Sequence, residues 1–443
     1  MDILDDLEFR GLIYQKSNLE GLRKEMNKGK ISLYCGFDPT ADSLHIGHLL
    51  PVLVLKRFQD AGHQPIALVG GGTGLIGDPS GKKEERDLNS HEIVENWSTA
   101  LKNQLEQFLD FKNKDNSALI ANNYDWLGEI KVIDFLRDIG KYFTVPYMLA
   151  KESVKLRLDD AMLEKKSAIS VPISDKSEIL QSESGISFTE FNYMVLQAYD
   201  FLNLFEKYDC KLQIGGSDQW GNITAGIDLI KKKAWEEVYG LTVPLVSKAD
   251  GTKFGKTETG TIWLDAKKTT PYQFYQFWIN ADDKDVIQYL KYFTFLSKEE
   301  IENLEKEVQK NPEKREAQKV LANKVTSLVH GEKIAKFAKK ISQKLFYDDI
   351  QDFSEEELQM VFENIEIISF QDIKEINLID LLIDAKACSS KRQAREDIQN
   401  GIIFINGNSY KDIQQIIKKS DCFYNKYLVI KKGKKNYYFA LWK

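Results

Sequence analysis

The run Ile31-Ser32-Leu33-Tyr34-Cys35-Gly36-Phe37-Asp38-Pro39-Thr40-Ala41-Asp42-Ser43-Leu44-His45-Ile46-Gly47-His48 decides how this chain is read. Its first part is a short apolar stretch ended by turn residues, the pattern of a buried strand. Its last part opens an apolar stretch, 44–61, that reads as a helix with Asp42 or Ser43 as N-cap and Gly62 as stop. His45 and His48 then lie on its first turn and face the same way, because positions i and i+3 are neighbours on a helix. A helix N-terminus offers N–H groups and a positive dipole end, which suits phosphate. The tetrapeptide alone also suits a surface helix end or, given more ligands, a metal, with Cys35 the one thiol nearby.

Outward from this run, residues 1–245 alternate strand candidates (31–37, 65–70, 117–121, 211–215) with helical patterns. That order predicts a parallel α/β sheet. Ligands in such sheets bind at the carboxyl ends of strands, which places 34–38, 70–78 and 215–219 at a site. Residues 271–347 are strand-poor and read as a helical domain. An acidic stretch, 348–375, follows and reads as a linker. The tail, 376–443, gives a helix (390–400), a strand (402–405), an Asn406-Gly407 turn and closing β runs around 431–436.

Composition narrows the classes. With 443 residues, 42% hydrophobic and 29% charged, the chain fits a protein of two or three domains. No apolar run reaches a membrane span, and the acidic Met1-Asp2-Ile3-Leu4-Asp5-Asp6 is neither signal nor transit peptide. A cytoplasmic protein with no membrane partner is expected. Cys35, Cys210, Cys388 and Cys422 have no paired spacing, which suits a reducing compartment and no structural zinc. Net charge is −6, yet 376–443 holds 13 Lys/Arg against 6 Asp/Glu. A basic end on an acidic body suits a polyanion partner or a solvated lysine-rich surface.

Gly70-Gly71-Gly72-Thr73-Gly74-Leu75-Ile76-Gly77-Asp78-Pro79-Ser80-Gly81-Lys82 contains G-x-G-x-x-G after a strand. A dinucleotide fingerprint needs a helix to start there, and Asp78-Pro79-Ser80-Gly81 breaks one. Walker A spacing fails as well. A glycine-lined loop carrying Asp78, then Lys82 and Arg86, fits a small amine-bearing ligand beside a polyphosphate. Lys253-Phe254-Gly255-Lys256-Thr257 puts two lysines three apart on a glycine-punctuated mobile loop that can clamp such a polyphosphate.

These motifs, with Ser187-Phe188-Thr189-Glu190-Phe191-Asn192-Tyr193, Gln197-Ala198-Tyr199-Asp200 and Gly215-Gly216-Ser217-Asp218-Gln219-Trp220-Gly221-Asn222-Ile223, resemble bacterial tyrosyl-tRNA synthetases nearly end to end. The resemblance implies a class I aminoacyl-tRNA synthetase: a Rossmann-like catalytic domain over 1–245, a catalytic-loop linker over 246–270, an α-helical anticodon-side domain over 271–347, and, past the 348–375 linker, a small α+β, S-four-like RNA-binding domain over 376–443. It implies tyrosine activation by Mg-ATP with no tightly bound cofactor and no resident metal, then transfer to tRNA(Tyr), by a homodimer. It implies that Thr40, His45, Lys82, Arg86, Lys253, Lys256 and Thr257 hold the polyphosphate, with His48 by the ribose and Gly47 leaving room for adenine. Cys35, Gly36, Asp38, Gly216, Asp218 and Gln219 are implied as further adenylate contacts. Tyr34 and Asp200 are implied to read the substrate phenol, and Asp78, Tyr193 and Gln197 its ammonium. In the tail, Ser390-Lys391-Arg392-Gln393-Ala394-Arg395 and 401–407 carry the likeness, and Lys391, Arg392 and Arg395 are implied to meet tRNA phosphates.

Two alternatives stand beside this. Tryptophan specificity shares the architecture, but an indole has no hydroxyl for Tyr34 and Asp200. An RNA-binding scaffold without catalysis would not need the histidines and lysines. The sequence also departs from the family: most of 158–184 looks inserted and is expected to be mobile and dispensable for adenylate formation. Pro51 sits inside the first helix and should remove one backbone bond or bend it.

Overall fold

The structure, a computed structural model, describes residues 2–80, 88–152, 154–155, 158, 186–249, 251, 254–257, 260–346, 353–362, 368–371, 373–433 and 436–443. The implied insert, apart from Leu158, lies outside the described residues. Contacts divide the chain into two compact units, Met1–Thr261 with Ile287–Asn303, and Ile262–Val286 with Leu304–Lys443. Among the described residues no helix is long and apolar enough to cross a membrane.

The first unit is built on a six-stranded sheet. Its strands are β1 (Gln15–Lys16), β2 (Ser32–Phe37), β3 (Gln64–Val69), β4 (Leu119–Asn122), β5 (Cys210–Gly216) and β6 (Tyr239–Val243), in the spatial order β1-β6-β5-β2-β3-β4. All neighbours run parallel except β1, which is antiparallel to β6. β3 and β6 are buried nearly throughout rather than alternately. That is the signature of a sheet covered on both faces, and it is why these strands read as continuous apolar runs. β2 has β3 on one side and β5 on the other, so the chain reverses its winding there. The crevice outside the carboxyl ends of β2 and β5 is therefore the place for a ligand.

Four strands fall within a few residues of the expected ranges. β1 and β6 were not anticipated. β1 is two polar residues whose pairing comes from tertiary hydrogen bonds, such as Gln15 N–H to Thr242 Oγ1 at 3.0 Å. β6 carries Gly240, which weakens the strand signal but lets the Ile223 side chain pack where a Cβ would stand.

The second unit holds the helices Pro271–Ile279, Glu316–His330 and Glu332–Phe346. It also holds a five-stranded sheet, in the order Asn408–Ser409, Ile403–Ile405, Tyr427–Lys432, Asn436–Trp442, Ile368–Phe370. Thr270 and Gln273 form a reciprocal cap that, with Pro271 at the first position, fixes where the first helix begins. One face of the sheet packs on the helices Leu378–Asp384 and Lys391–Gln399 through Leu381, Ala394, Ile398 and Ile430. Tyr427, Val429 and Phe439 on the other face meet Ile341 and Leu358. The Asn406-Gly407 turn, with φ of 47° and 83°, closes a hairpin as its sequence predicts. In the acidic stretch, Glu355–Phe362 is helical, and Lys340 and Lys344 each reach Glu357 at 2.6 Å.

Candidate active site

The histidine pair ends the loop after β2. The helix there runs Ile46–Asp60, and its N-cap is His45, not Asp42 or Ser43. The reason is local. Ser43 is buried, with its hydroxyl turned to the Leu44 carbonyl at 2.8 Å, while His45 Nδ1 accepts the Gly47 N–H at 3.0 Å. His48 Nδ1 in turn accepts the His45 N–H at 3.2 Å, and the two rings stack with centroids 3.8 Å apart. An accepting Nδ1 leaves the proton of a neutral imidazole on Nε2, so both rings present Nε2–H donors at the helix N-terminus. Pro51 lies inside the helix without ending it. Lacking an N–H, it leaves the Gly47 carbonyl without its intrahelical donor.

Below the histidines a cavity of about 970 Å³ opens at the crevice. Fifteen of the residues singled out in the sequence line it: Tyr34, Cys35, Gly36, Asp38, Thr40, His45, Gly47, His48, Asp78, Tyr193, Gln197, Asp200, Gly216, Asp218 and Gln219. Its size suits a ligand of several hundred daltons.

The floor is Asp200, from the helix Phe188–Tyr208, with Tyr34 from β2; they are 2% and 0% exposed. Asn123 Nδ2 donates to Asp200 Oδ2 at 2.9 Å, and Trp126 Nε1 to Oδ1 at 2.7 Å. Burial pushes the carboxyl up to about 8; the two hydrogen bonds work against that rise, and nearby Asp38 adds to it. Among the described residues the buried Tyr34 hydroxyl has no hydrogen-bond partner. Burial and then Asp200 hold its phenol well above the ordinary value, so it stays a neutral donor and acceptor. Gln213, beside Tyr34 on β5, likewise has no partner for its Oε1 among the described residues. Buried polar groups in this state are costly, and they mark a place prepared for polar atoms from a ligand.

A chain of side chains links floor to wall. Asn123 donates to Thr73 Oγ1 at 2.9 Å, Thr73 to Asp38 Oδ1 at 2.7 Å, and Tyr193 to Asp38 Oδ2 at 2.7 Å. Gly70 makes room for it, since a Cβ there would stand 1.9 Å from Asp38 Oδ1. Asp78 accepts from the Ser80 N–H at 2.9 Å and from Gln219 Nε2, and Gln197 accepts from Asn222 at 3.0 Å. Asp78, Tyr193 and Gln197 thus face one cavity while each is held by a different neighbour. Burial, then Asp78, raises the Asp218 carboxyl. Burial and Asp218 push the Cys35 thiol up to about 12, so it enters as a neutral thiol and not a nucleophile.

Lys82, Arg86 and Lys253 lie outside the described residues. Lys256 and Thr257 are described only as a short strand paired with Gly260–Thr261. Lys391, Arg392 and Arg395 sit on or next to one another along the helix Lys391–Gln399 of the second unit. There Lys391 pairs with Asp380 at 2.7 Å and Arg392 with Glu396 at 3.3 Å. Asn123, Trp126, Thr73, Gln213 and Asn222 were not singled out from the sequence. Asn123 could have been: it directly follows β4, at the carboxyl edge where ligands bind.

Comparison with known proteins identifies the family. Residues 26–347 match the family model for class I tRNA synthetases (W and Y), and residues 357–440 match that for the tyrosine–tRNA ligase SYY-like C-terminal domain. The chain is 56% identical over 444 residues to tyrosine–tRNA ligase 1 of Bacillus subtilis, covering 100% of both. It is 56% identical over 439 residues to the tyrosine–tRNA ligase of Geobacillus stearothermophilus, covering 99% of each. Among solved structures, a C-terminally truncated mitochondrial tyrosyl-tRNA synthetase of Aspergillus nidulans superposes with a TM-score of 0.67 at 28% identity, over 78% of this chain and 94% of that one. A tyrosyl-tRNA synthetase of Archaeoglobus fulgidus complexed with L-tyrosine gives 0.53 at 15%, over 76% and 99%, and a tryptophanyl-tRNA synthetase of Encephalitozoon cuniculi gives 0.51 at 15%, over 80% and 89%. Those last two share the fold alone, and the fold does not separate tyrosine from tryptophan. Identity over the full length does, and with both family models matched the chain belongs to the tyrosine–tRNA ligase family of class I tRNA synthetases.

Proposed function

We propose that this chain activates L-tyrosine with ATP, which enters as its magnesium complex, and passes the tyrosyl group to the 3′-terminal ribose of tRNA(Tyr). The observation that carries the reading is the floor. Asp200 accepts hydrogen bonds on both oxygens from Asn123 and Trp126, beside a Tyr34 hydroxyl that has no partner among the described residues. A carboxylate so held keeps lone pairs for a phenolic O–H, and Tyr34 supplies the second bond. Indole has a single N–H donor and no hydroxyl, so it cannot satisfy both Asp200 and Tyr34.

The first step is attack of the tyrosine carboxylate on the α-phosphorus of ATP, with pyrophosphate leaving. A carboxylate is already a nucleophile, so the step requires no general base. Positioning and charge stabilisation supply the rate. Thr40 and the Nε2–H of His45 hold the departing phosphates, and His48 meets the ribose. Asp78, Tyr193 and Gln197 receive the ammonium; Cys35, Gly36, Asp38, Gly47, Gly216, Asp218 and Gln219 surround the adenylate. Lys82, Arg86, Lys253, Lys256 and Thr257 take the polyphosphate on the strength of their motifs. In the second step a ribose hydroxyl of tRNA attacks the tyrosyl carbonyl and AMP leaves. Lys391, Arg392 and Arg395 contact tRNA phosphates, which makes that binding salt-dependent.

The protein acts in the cytoplasm as a homodimer. Support for the dimer is an apolar set on three helices of the first unit: Val132, Ile133, Val145 and Phe188 are 71%, 70%, 59% and 77% exposed. Side chains of this kind, left open to water in one chain, suit an interface with a second copy. Sedimentation should give twice the chain mass, and a monomer at micromolar concentration would defeat this part. The ligase reading is tested by ATP–pyrophosphate exchange with each of the twenty amino acids. Exchange with tyrosine alone is expected. Exchange with tryptophan would overturn the pocket, and none from a folded protein would favour a binding scaffold.

A further inference from the structure

Phe254 and Gly255, the residues between the two lysines of the Lys-Phe-Gly-Lys segment, are seated on the frame that carries the histidines. The Phe254 ring stacks on Phe293 with centroids 5.4 Å apart and planes 13° apart, and lies 5.2 Å from Tyr289, tilted. Tyr289 and Phe293 belong to the helix Val286–Phe293 and are 3% and 0% exposed. Their rings, edge to face with centroids 6.2 Å apart, form the socket on which Phe254 sits. Gly255 has φ +77°, and a Cβ there would stand 2.5 Å from Ile46 Cγ2. Ile46 is the residue between His45 and Gly47, so the backbone after Phe254 rests against the histidine turn itself.

The socket is fixed to the same frame from its far end. Arg10 donates to the carbonyls of Lys291 at 3.1 Å, Thr294 at 3.2 Å and Leu296 at 2.7 Å. Arg57, near the end of the histidine helix, donates to the Thr294 carbonyl and stacks on Phe295 with its guanidinium 4.4 Å from the ring centre. Both arginines pair with Asp6. These donors satisfy carbonyls at and beyond the C-terminal end of the socket helix, which would otherwise lack partners. Histidine helix and socket therefore cannot shift independently without breaking buried hydrogen bonds.

We propose that Phe254 is a positioning residue for the activation step: its ring, locked into the Tyr289–Phe293 socket, sets the backbone between Lys253 and Lys256 beside His45. This rests on the ligase reading, in which those lysines act on the polyphosphate. Without the ring, a glycine-punctuated segment samples many placements, and a misplacement on the order of 1 Å costs about 10²-fold in rate. The binding of tyrosine, at the other end of the cavity, does not depend on the seat.

The test is a set of variants, Phe254→Ala, Phe254→Tyr and Phe293→Ala, in two measurements: tyrosine-dependent ATP–pyrophosphate exchange, and the rate of tryptic cleavage after Lys253 or Lys256 without substrates. Phe254→Ala and Phe293→Ala should lower kcat by roughly 10- to 100-fold with tyrosine KM within about twofold, and both should speed cleavage. Phe254→Tyr, which refills the socket, should restore kcat to within about threefold of wild type and slow cleavage again. Wild-type kcat and cleavage rate in Phe254→Ala would overturn the inference. So would a loss that Phe254→Tyr fails to restore. Absence of exchange in the wild type would instead defeat the ligase reading, and the cleavage rates would still decide whether the seat exists.

Discussion

Asp200 at the floor of the cavity takes its hydrogen bonds from side chains, whereas His45 and His48 at the mouth accept theirs from backbone N–H groups. The floor is buried and assembled from distant segments; Asn123 and Trp126 lie 77 and 74 residues before Asp200. The mouth is open and local, made by one helix start with the Gly255 backbone resting on it. The difference matches two tasks. Selecting one side chain requires fixed polar atoms in a dry place, where an unmatched group is expensive. Stabilising charge on departing phosphates requires oriented donors that polyphosphate can enter and leave.

The largest effect should come from the mouth. His45→Asn keeps a capping oxygen for the Gly47 N–H but removes the Nε2–H donor. It should lower kcat for adenylate formation by roughly 10²-fold, with tyrosine KM changed less than about twofold. Single-turnover adenylate formation reads this directly, and equal losses in kcat and tyrosine affinity would blur the division.

Asp200→Asn comes next, at the floor. It should raise tyrosine KM by about 10- to 100-fold while kcat changes less, since a charge-assisted hydrogen bond is worth about 1.5–3 kcal/mol. Asn123→Ala, which strips a donor from both Asp200 and Thr73, should act in the same direction by about tenfold.

A pH series sharpens the same contrast. In the proposed reading the ionised carboxylate accepts the phenolic proton, and burial lifts Asp200 to about 8. Tyrosine KM should therefore fall as pH rises from 6.5 to 8.5, by about tenfold, and Asp200→Asn should abolish that slope. Stability runs the other way. A carboxyl raised in the folded state favours folding below its unfolded value, near 3.8, and that advantage is lost as pH rises through about 8. A flat tyrosine KM across this range would contradict the assignment.

The smallest effect on activation belongs to the second unit. Lys391→Ala or Arg395→Ala should leave pyrophosphate exchange unchanged and reduce the salt slope of tRNA binding by about one per residue.

Legibility in the sequence follows the same division. The mouth could be read because its spacing is local: a strand, a Gly-Pro loop and histidines three apart. The floor could not. Asp200 alone is a helix aspartate and Tyr34 a strand tyrosine, and only the family resemblance joined them. Asn123 and Trp126 escaped because no local period connects a segment after β4 to one turn of a later helix. The fold divides likewise: strands buried on both faces announce themselves as apolar runs, while β1, two polar residues held by pairing, has no such signal. His45 as its own N-cap was missed because side-chain capping by histidine competes with the commoner Asp42 and Ser43.

The most direct test of the division between floor and mouth is a double-mutant cycle of Asp200→Asn and His45→Asn, read as kcat and tyrosine KM in pyrophosphate exchange. The account predicts that the single effects multiply, with the first carried by KM and the second by kcat, to within about 0.5 kcal/mol of coupling. A coupling well above that, or an Asp200→Asn loss carried by kcat, would contradict it.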